Sequence, residues 1–265
     1  MIPKVIHYCW FGDHPLPPSA RRCIDSWKKH CPDYEIREWN EHTIDIASHP
    51  YMREAYEEKA WGFVPDVARL QIIYQYGGIY LDTDVEIIRP FDSLLRRRGF
   101  MGLEDGNHVA LGLGFGAEAR HPLIKQLLDD YDGRHFRNPD GTLNRQSAPS
   151  LQAPVWERNG FKRENTLQTV CRTVIYPSDF FSPLSYQTGK LRITDNTYSI
   201  HHYEGSWLTP EEREYFLLRR ALLQKYKLLA KPAWKCVRIR RHLQQAGLIK
   251  TIDLAIQKAK GRLLP

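Results

Sequence analysis

No stretch of this 265-residue chain approaches the roughly 18 consecutive apolar residues that a membrane-spanning helix needs, and Met1 does not open a basic, apolar, small-residue leader. Neither a spanning helix nor a secretory signal is expected, and the expected location is the cytoplasm. Cysteine is scarce and scattered: Cys9, Cys23, Cys31, Cys171 and Cys236 are odd in number and contain no CxxC pair. That argues against a disulfide framework and a structural zinc site, and predicts reduced, mostly buried thiols. The spacings G-x-x-x-x-G-K-[ST] and G-x-G-x-x-G do not occur, so neither a phosphate loop nor a dinucleotide fingerprint is supported. Acid is nearly missing from residues 219–265, where thirteen Lys or Arg stand against Asp253 alone; this net +12 leaves the rest of the chain at −5 within a total of +7. The body is mildly acidic and the tail strongly basic.

What is there can bury one sizeable core, since 42% of residues are hydrophobic. The expected division is a main domain over 1–218 and a basic, amphipathic helical appendage over 219–265. The main domain centres on Ile79-Tyr80-Leu81-Asp82-Thr83-Asp84-Val85-Glu86-Ile87-Ile88, which reads as a buried strand carrying two carboxylates one residue apart. A strand that delivers Asp82 and Asp84 at its carboxyl end places them where open α/β sheets bind ligands. Carboxylates there hold Mg²⁺ or Mn²⁺, usually with phosphate oxygens in the shell. Roughly one D-x-D is expected by chance in such a chain, and a second, Asp130-Tyr131-Asp132, reads as a solvated helix end. The first differs in following Gly77-Gly78 and having apolar neighbours on both sides.

Along the chain, Pro3 to Cys9 reads as a first strand, followed by Trp10-Phe11-Gly12; an aromatic just past a strand end suits stacking on a flat ring, or simply core packing. A helix capped by Ser19 runs to Lys29, and Tyr34 to Trp39 alternates like a half-buried strand. A second helix is expected over 50–61. The third has Pro65 at its first position and Gly77-Gly78 as its stop, with Val67, Leu70 and Tyr74 facing inward. Asp66 and Arg69 share a face of its first turn; the plain reading is a surface salt bridge. Alternating helices and strands indicate α/β layering. Further on, 90–98 reads as a turn and short helix, 99–103 as a strand ending at Glu104-Asp105, and Leu111 to Gly116 as a Gly-alternating strand against which something packs closely. A helix is expected over 121–131, a flexible loop over 134–146, strands over 170–176 and 198–202, and a helix from the capping box Thr209-Pro210-Glu211-Glu212 to about Ala230.

Several blocks then match in order: Ile2 to Gly12, Ser26-Trp27-Lys28-Lys29, Pro32 to Ile36 with Trp39-Asn40, Asp66-Val67-Ala68-Arg69, and Gly77 to Asp84. Together the chain resembles the DxD-containing sugar transferases, near the bacterial capsular-polysaccharide and Och1-like types (glycosyltransferase family 32). The resemblance is good over about the first 110 residues. It implies a single GT-A-type α/β domain with a Rossmann-like mixed sheet flanked by helices, a nucleotide-sugar donor, a divalent metal (Mn²⁺ or Mg²⁺), and transfer with retention. Carried over, Trp10, with Phe11, would meet the base, Asp66 and Arg69 the donor sugar, Asp82 the ribose or sugar, and Asp84 the metal. Pro65 stands where the resemblance leads one to expect Ser.

Adjacent histidines on a strand face opposite ways, so at most one of His201 and His202 reaches a metal beside the carboxylates. The ending His-His-x-x-Gly-Ser-Trp also resembles the family, with His202 as the expected ligand, His201 in reserve, and Ser206 and Trp207 as donor contacts. Front-face, retaining transfer without an obligatory enzyme nucleophile is expected, with Glu104 or Asp105 as the fallback nucleophile if a covalent intermediate forms. A metal would neutralise the leaving diphosphate while Asp66 and Arg69 fix the sugar. The acceptor would be a saccharide or lipid-linked glycan. The basic tail fits an anionic membrane surface, which would make the protein peripheral on the inner face; a solvated helical cap fits as well. Two rivals remain: a haloacid-dehalogenase-like phosphatase with Asp82 as nucleophile, and a non-enzymatic nucleic-acid or membrane binder. Glu86 stands where the phosphatase pattern wants Thr or Val, and no nucleic-acid-binding motif occurs.

Overall fold

A computed structural model of the chain describes residues 1–206 and 208–225. The expected α/β class is borne out. Seven strands form a mixed sheet: β1 (Val5–Cys9), β2 (Glu35–Trp39), β3 (Gly78–Tyr80), β5 (Gly99–Gly102), β6 (Phe115–Ala117), β7 (Gln168–Val170) and β8 (Thr173–Tyr176), in the order β2-β1-β3-β6-β5-β8-β7. β2, β1 and β3 are parallel, the Rossmann-like half; β6 runs antiparallel between β3 and β5. The helices α1 (Pro18–His30), α2 (Pro50–Glu57), α3 (Pro65–Tyr76), α4 (Pro122–Asp129), α5 (Ala148–Arg158) and α6 (Ser178–Phe181) connect and cover it. A two-stranded antiparallel sheet pairs β4 (Val85–Ile87) with β9 (Ser199–His201). Residues 1–186 and 190–209 form one compact unit, and α7 (Pro210–Lys225) belongs to a second. Among the described residues no helix is long and apolar enough to cross a membrane.

The α3 crossover decides where the site forms. Pro65 sits at the helix start, where its missing N–H costs nothing. Gly77 closes the helix at φ 66°, and a side chain at Gly78 would run into the His7 ring and the Val5 carbonyl. The helix runs against β3, so its first turn returns over the carboxyl end of that strand. Val67, Ala68, Leu70, Ile72 and Ile73 are all buried, and so are Asp66 and Arg69. Tyr74 is only half-buried, because the helix is enclosed on more than one face and the inward stripe is not a single line.

His7 ties three elements together. Its Nε2–H donates to the Gly77 carbonyl (3.0 Å), and its Nδ1 accepts from the Trp39 indole N–H (3.0 Å). α1 holds β4 in turn: Trp27 donates from Nε1 to the Val85 carbonyl (2.7 Å), and Ser26 Oγ accepts the Ile87 N–H (2.9 Å). The blocks separated along the sequence therefore converge on the acidic segment.

Several expectations are corrected. The stretch 79–88 is not one strand: β3 ends at Tyr80, the carboxylates lie in the connection, and β4 leaves for the small sheet. α1 starts after Pro17 and not at a Ser19 cap. α2 stops at Glu57, since the chain turns at Lys59 with φ 54°. Residues 90–98 form turns without a helix, and Leu111–Leu113 is a 3-10 turn, with only Phe115–Ala117 in the sheet. The strand expected over 170–176 is a hairpin reversing at Cys171 and Arg172, both at positive φ. Of the thiols, Cys9, Cys23 and Cys31 are buried and free, and Cys171 is half-buried and free; Cys236 lies outside the described residues.

Candidate functional site

The first turn of α3 and the β3–β4 connection face each other. Arg69 donates from Nη2 to Asp66 Oδ1 at 2.8 Å and from Nε to the Pro65 carbonyl at 2.9 Å, and its Nη1 stands 3.7 Å from Asp82 Oδ1. Asp66 is 4% exposed and Arg69 5%, so this is no surface salt bridge. Burial raises the Asp66 carboxyl to about 7 against the pull of Arg69, with Asp82 adding to the rise. Burial also acts against the Arg69 charge, but Asp82, Tyr80 and Asp66 outweigh it and raise the guanidinium further. A Cβ on Gly112 would strike the Asp82 carboxylate, with Arg69 Nη1 next in line. The close approach expected of the Gly run is therefore to the site itself.

Asp84 is held from the other side. Its carbonyl accepts the His202 N–H (2.9 Å), its Oδ2 accepts the Glu204 N–H (2.9 Å), and its Oδ1 lies 3.2 Å from His201 Nε2. Burial, the largest influence, opposes the Asp84 charge, yet His201 and the Glu204 amide bring its pKa down to about 2. Burial likewise opposes charge on His201, and Asp84, Asp82 and Glu104 together raise its pKa. The site thus selects positive charge.

The register Val85↔His201 brings His201 to the carboxylates. Ligand atoms of Asp82, Asp84 and His201 all lie within 4.8 Å of one another. His202, the expected ligand, points elsewhere and pairs with Glu86 (3.0 Å), both side chains being well exposed; the reserve, His201, takes its place because alternation puts only one imidazole on that face. Two hard carboxylates with one imidazole are a donor set that suits Mn²⁺ or Mg²⁺. The buried His201 Nδ1 has no protein partner among the described residues.

Of the other expected contacts, Trp10 remains half-buried just past β1, with its indole N–H on the His14 carbonyl. Phe11 is 4% exposed and packs into the core, since it points to the other side of the chain. Ser206 is exposed, beside Gly205 at φ 69°. Trp207 lies outside the described residues. Glu104 stands near His201, its carboxyl raised to about 7 by burial against the pull of His201, with Asp105 adding to the rise; Asp105 accepts from Ser185 Oγ (2.7 Å). Tyr80, under the Arg69 guanidinium at 5.2 Å, is a site residue that composition and spacing did not single out, whereas Gly112 belongs to the Gly run from which a close approach was expected.

Residues 17–101 match the family described as glycosyltransferase sugar-binding region containing DXD motif. Over that segment the chain is similar to the sugar-binding region of DXD-containing glycosyltransferases. It is 29% identical over 165 residues to inositol phosphoceramide mannosyltransferase 3 of Schizosaccharomyces pombe, covering 58% of this chain and 45% of that protein. It is 24% identical over 184 residues to mouse (Mus musculus) lactosylceramide 4-alpha-galactosyltransferase, covering 63% and 48%. Among solved structures it is similar to the PaToxG glycosyltransferase, at 16% identity and a TM-score of 0.46, covering 59% of this chain and 68% of that one. The chain spans about half the length of the curated relatives it matches.

Proposed function

We propose that this protein is a metal-dependent, retaining glycosyltransferase that moves a hexose from a nucleotide sugar to a saccharide or lipid-linked glycan in surface polysaccharide synthesis. The observation that carries the reading is the convergence of Asp82, Asp84 and His201 beside the buried Asp66–Arg69 pair. The match to a DXD-containing sugar-binding region supports it. So do the printed activities of the relatives, which concern mannose and galactose on ceramide-borne acceptors. Because those two sugars differ, the donor base stays a choice between UDP, which we favour, and GDP.

Asp82, Asp84 and His201 would hold Mn²⁺ or Mg²⁺, which when bound supplies charge neutralisation for a departing diphosphate. The chain's own residues do the rest. Arg69, charged and anchored twice, and Asp66 orient the donor sugar by its hydroxyls. Gly112 leaves the room that Asp82 occupies. Glu104, with a carboxyl near neutrality, faces His201 and can take a proton from an attacking acceptor hydroxyl. The basic segment 219–265 would hold the protein on an anionic membrane surface at the inner face; anionic vesicles that fail to bind the full chain at low salt would contradict this.

The deciding experiment is a panel of UDP- and GDP-sugars, with and without Mn²⁺, scored for donor hydrolysis in the wild type and Asp84→Ala. Hydrolysis of one donor class that needs both the metal and Asp84 is expected. Indifference to metal and mutation defeats the reading, and an inverted anomer by product NMR defeats retention.

A further inference from the structure

Behind Asp66 and Arg69 the core is unusually polar. Tyr51 on α2, Tyr131 just past α4, and Gln152 on α5 are 0%, 0% and 1% exposed. The two phenol rings meet edge to face with centroids 5.4 Å apart, and the Gln152 amide lies beside Tyr131. α3 packs on α2 and α4, and α4 on α5, so the elements that carry or precede these side chains adjoin the helix of Asp66. The Asp66 charge is felt at both tyrosines, and the Arg69 charge as well. Beyond the contact between Tyr131 and Gln152, neither hydroxyl and neither atom of the Gln152 amide has a hydrogen-bond partner among the described residues.

Buried polar atoms are almost always paired, and each that is not costs folding free energy. Phe, Phe and Leu would fill the same volume without that cost. A buried hydroxyl without a partner and a buried tyrosine–amide contact with no further one, both within reach of one ion pair's charge, point to groups kept for something that arrives later.

We propose that Tyr51, Tyr131 and Gln152 are positioning residues for the donor sugar: a buried polar tier that completes its hydrogen bonds only when the hydroxyls of the sugar engage Asp66 and Arg69. The tier acts through that pair, directly or by ordered water, and selects among sugars by hydroxyl pattern rather than by nucleotide. This rests on the glycosyltransferase reading given above.

The test uses the full chain, the nucleotide sugar that the wild type hydrolyses fastest, and the corresponding nucleoside diphosphate. Tyr131→Phe and Gln152→Met keep shape and remove the polar atoms. Each is expected to leave the unliganded Tm unchanged or higher and to raise KM for the nucleotide sugar about tenfold. Kd for the nucleoside diphosphate should stay within about twofold. A lowered Tm with parallel loss of both ligands, the mark of a merely structural role, overturns the inference; so does an unchanged KM. A wild type that hydrolyses no nucleotide sugar instead sinks the functional reading, and this inference with it.

Discussion

Neighbouring residues on a strand project to opposite faces, and at His201 and His202 that single fact separates the imidazole that meets the carboxylates from the one that does not. His201 is held within reach of Asp84 and Asp82, whereas His202 stands outside in an exposed pair with Glu86. His201→Ala should lower Mn²⁺-dependent donor hydrolysis at least about tenfold, as loss of metal-site contacts does, with the Mn²⁺ titration shifted to higher concentration. His202→Ala should change unfolding free energy by under about 1 kcal/mol, as for exposed pairs, and leave the titration in place. The reverse ranking would put the metal elsewhere. Position 201 could not be chosen over 202 from residue types, because an unpaired strand does not reveal which of its faces meets the acids.

At the scale of elements, two buried polar anchors position the site from a distance. His7 links β1, β2 and the end of α3 as a neutral imidazole, and burial lowers its pKa from 6.5 to about 4. The unfolded chain binds a proton between these values that the folded protein refuses. Its stabilising contribution is therefore complete above about pH 6.5 and is lost as pH falls through about 4, with a span of about 3 kcal/mol. Denaturant titrations from pH 7 to 4 should show that slope in the wild type and a shallower one in His7→Gln.

Glu54, on α2, accepts the backbone N–H groups of Phe136 and Arg137 (2.9 and 3.0 Å) and contacts His135 (2.7 Å). Arg137 adds bonds to Glu57 and Glu58. The segment 134–146, expected to be a flexible loop, is thus fastened to α2 at its start. Glu54→Ala should destabilise the fold by about 1–3 kcal/mol, the cost of unpairing buried amides. Hydrogen exchange at the amides of 136 and 137 should quicken without a comparable change in β1. These fastenings are long-range, some eighty residues apart, so nothing in the local composition of the loop announced them. α5 was not expected from the sequence, and it carries Pro149 and Pro154. Pro149 sits in the first turn, where it costs little, and burial of Leu151, Val155 and Trp156 outweighs the Pro154 penalty.

For the whole molecule, the carboxylates and His201 favour positive charge in the site, so donor and metal should stabilise the fold together. Mn²⁺ with the nucleoside diphosphate at about a hundred times Kd should add about 2.7 kcal/mol. Scanning calorimetry should show Tm rising, and EDTA should return it to the unliganded value; Asp84→Ala should show no metal-dependent rise. Identical transitions with and without ligand in the wild type would remove the site from the fold's energetics.

Composition and local pattern determined the α/β class, the punctuation of α3 by Pro65 and Gly77-Gly78, and the placement of Asp82 and Asp84 past a strand end. Each depends on interactions within a few residues: backbone constraints, apolar periodicity, helix stops. The tertiary structure alone decided that Asp66 and Arg69 are buried against Asp82, that β4 departs to pair with β9, and that this pairing delivers His201 and not His202. Those outcomes depend on which distant strand supplies the neighbour and in which register, and register is settled by packing across the whole sheet.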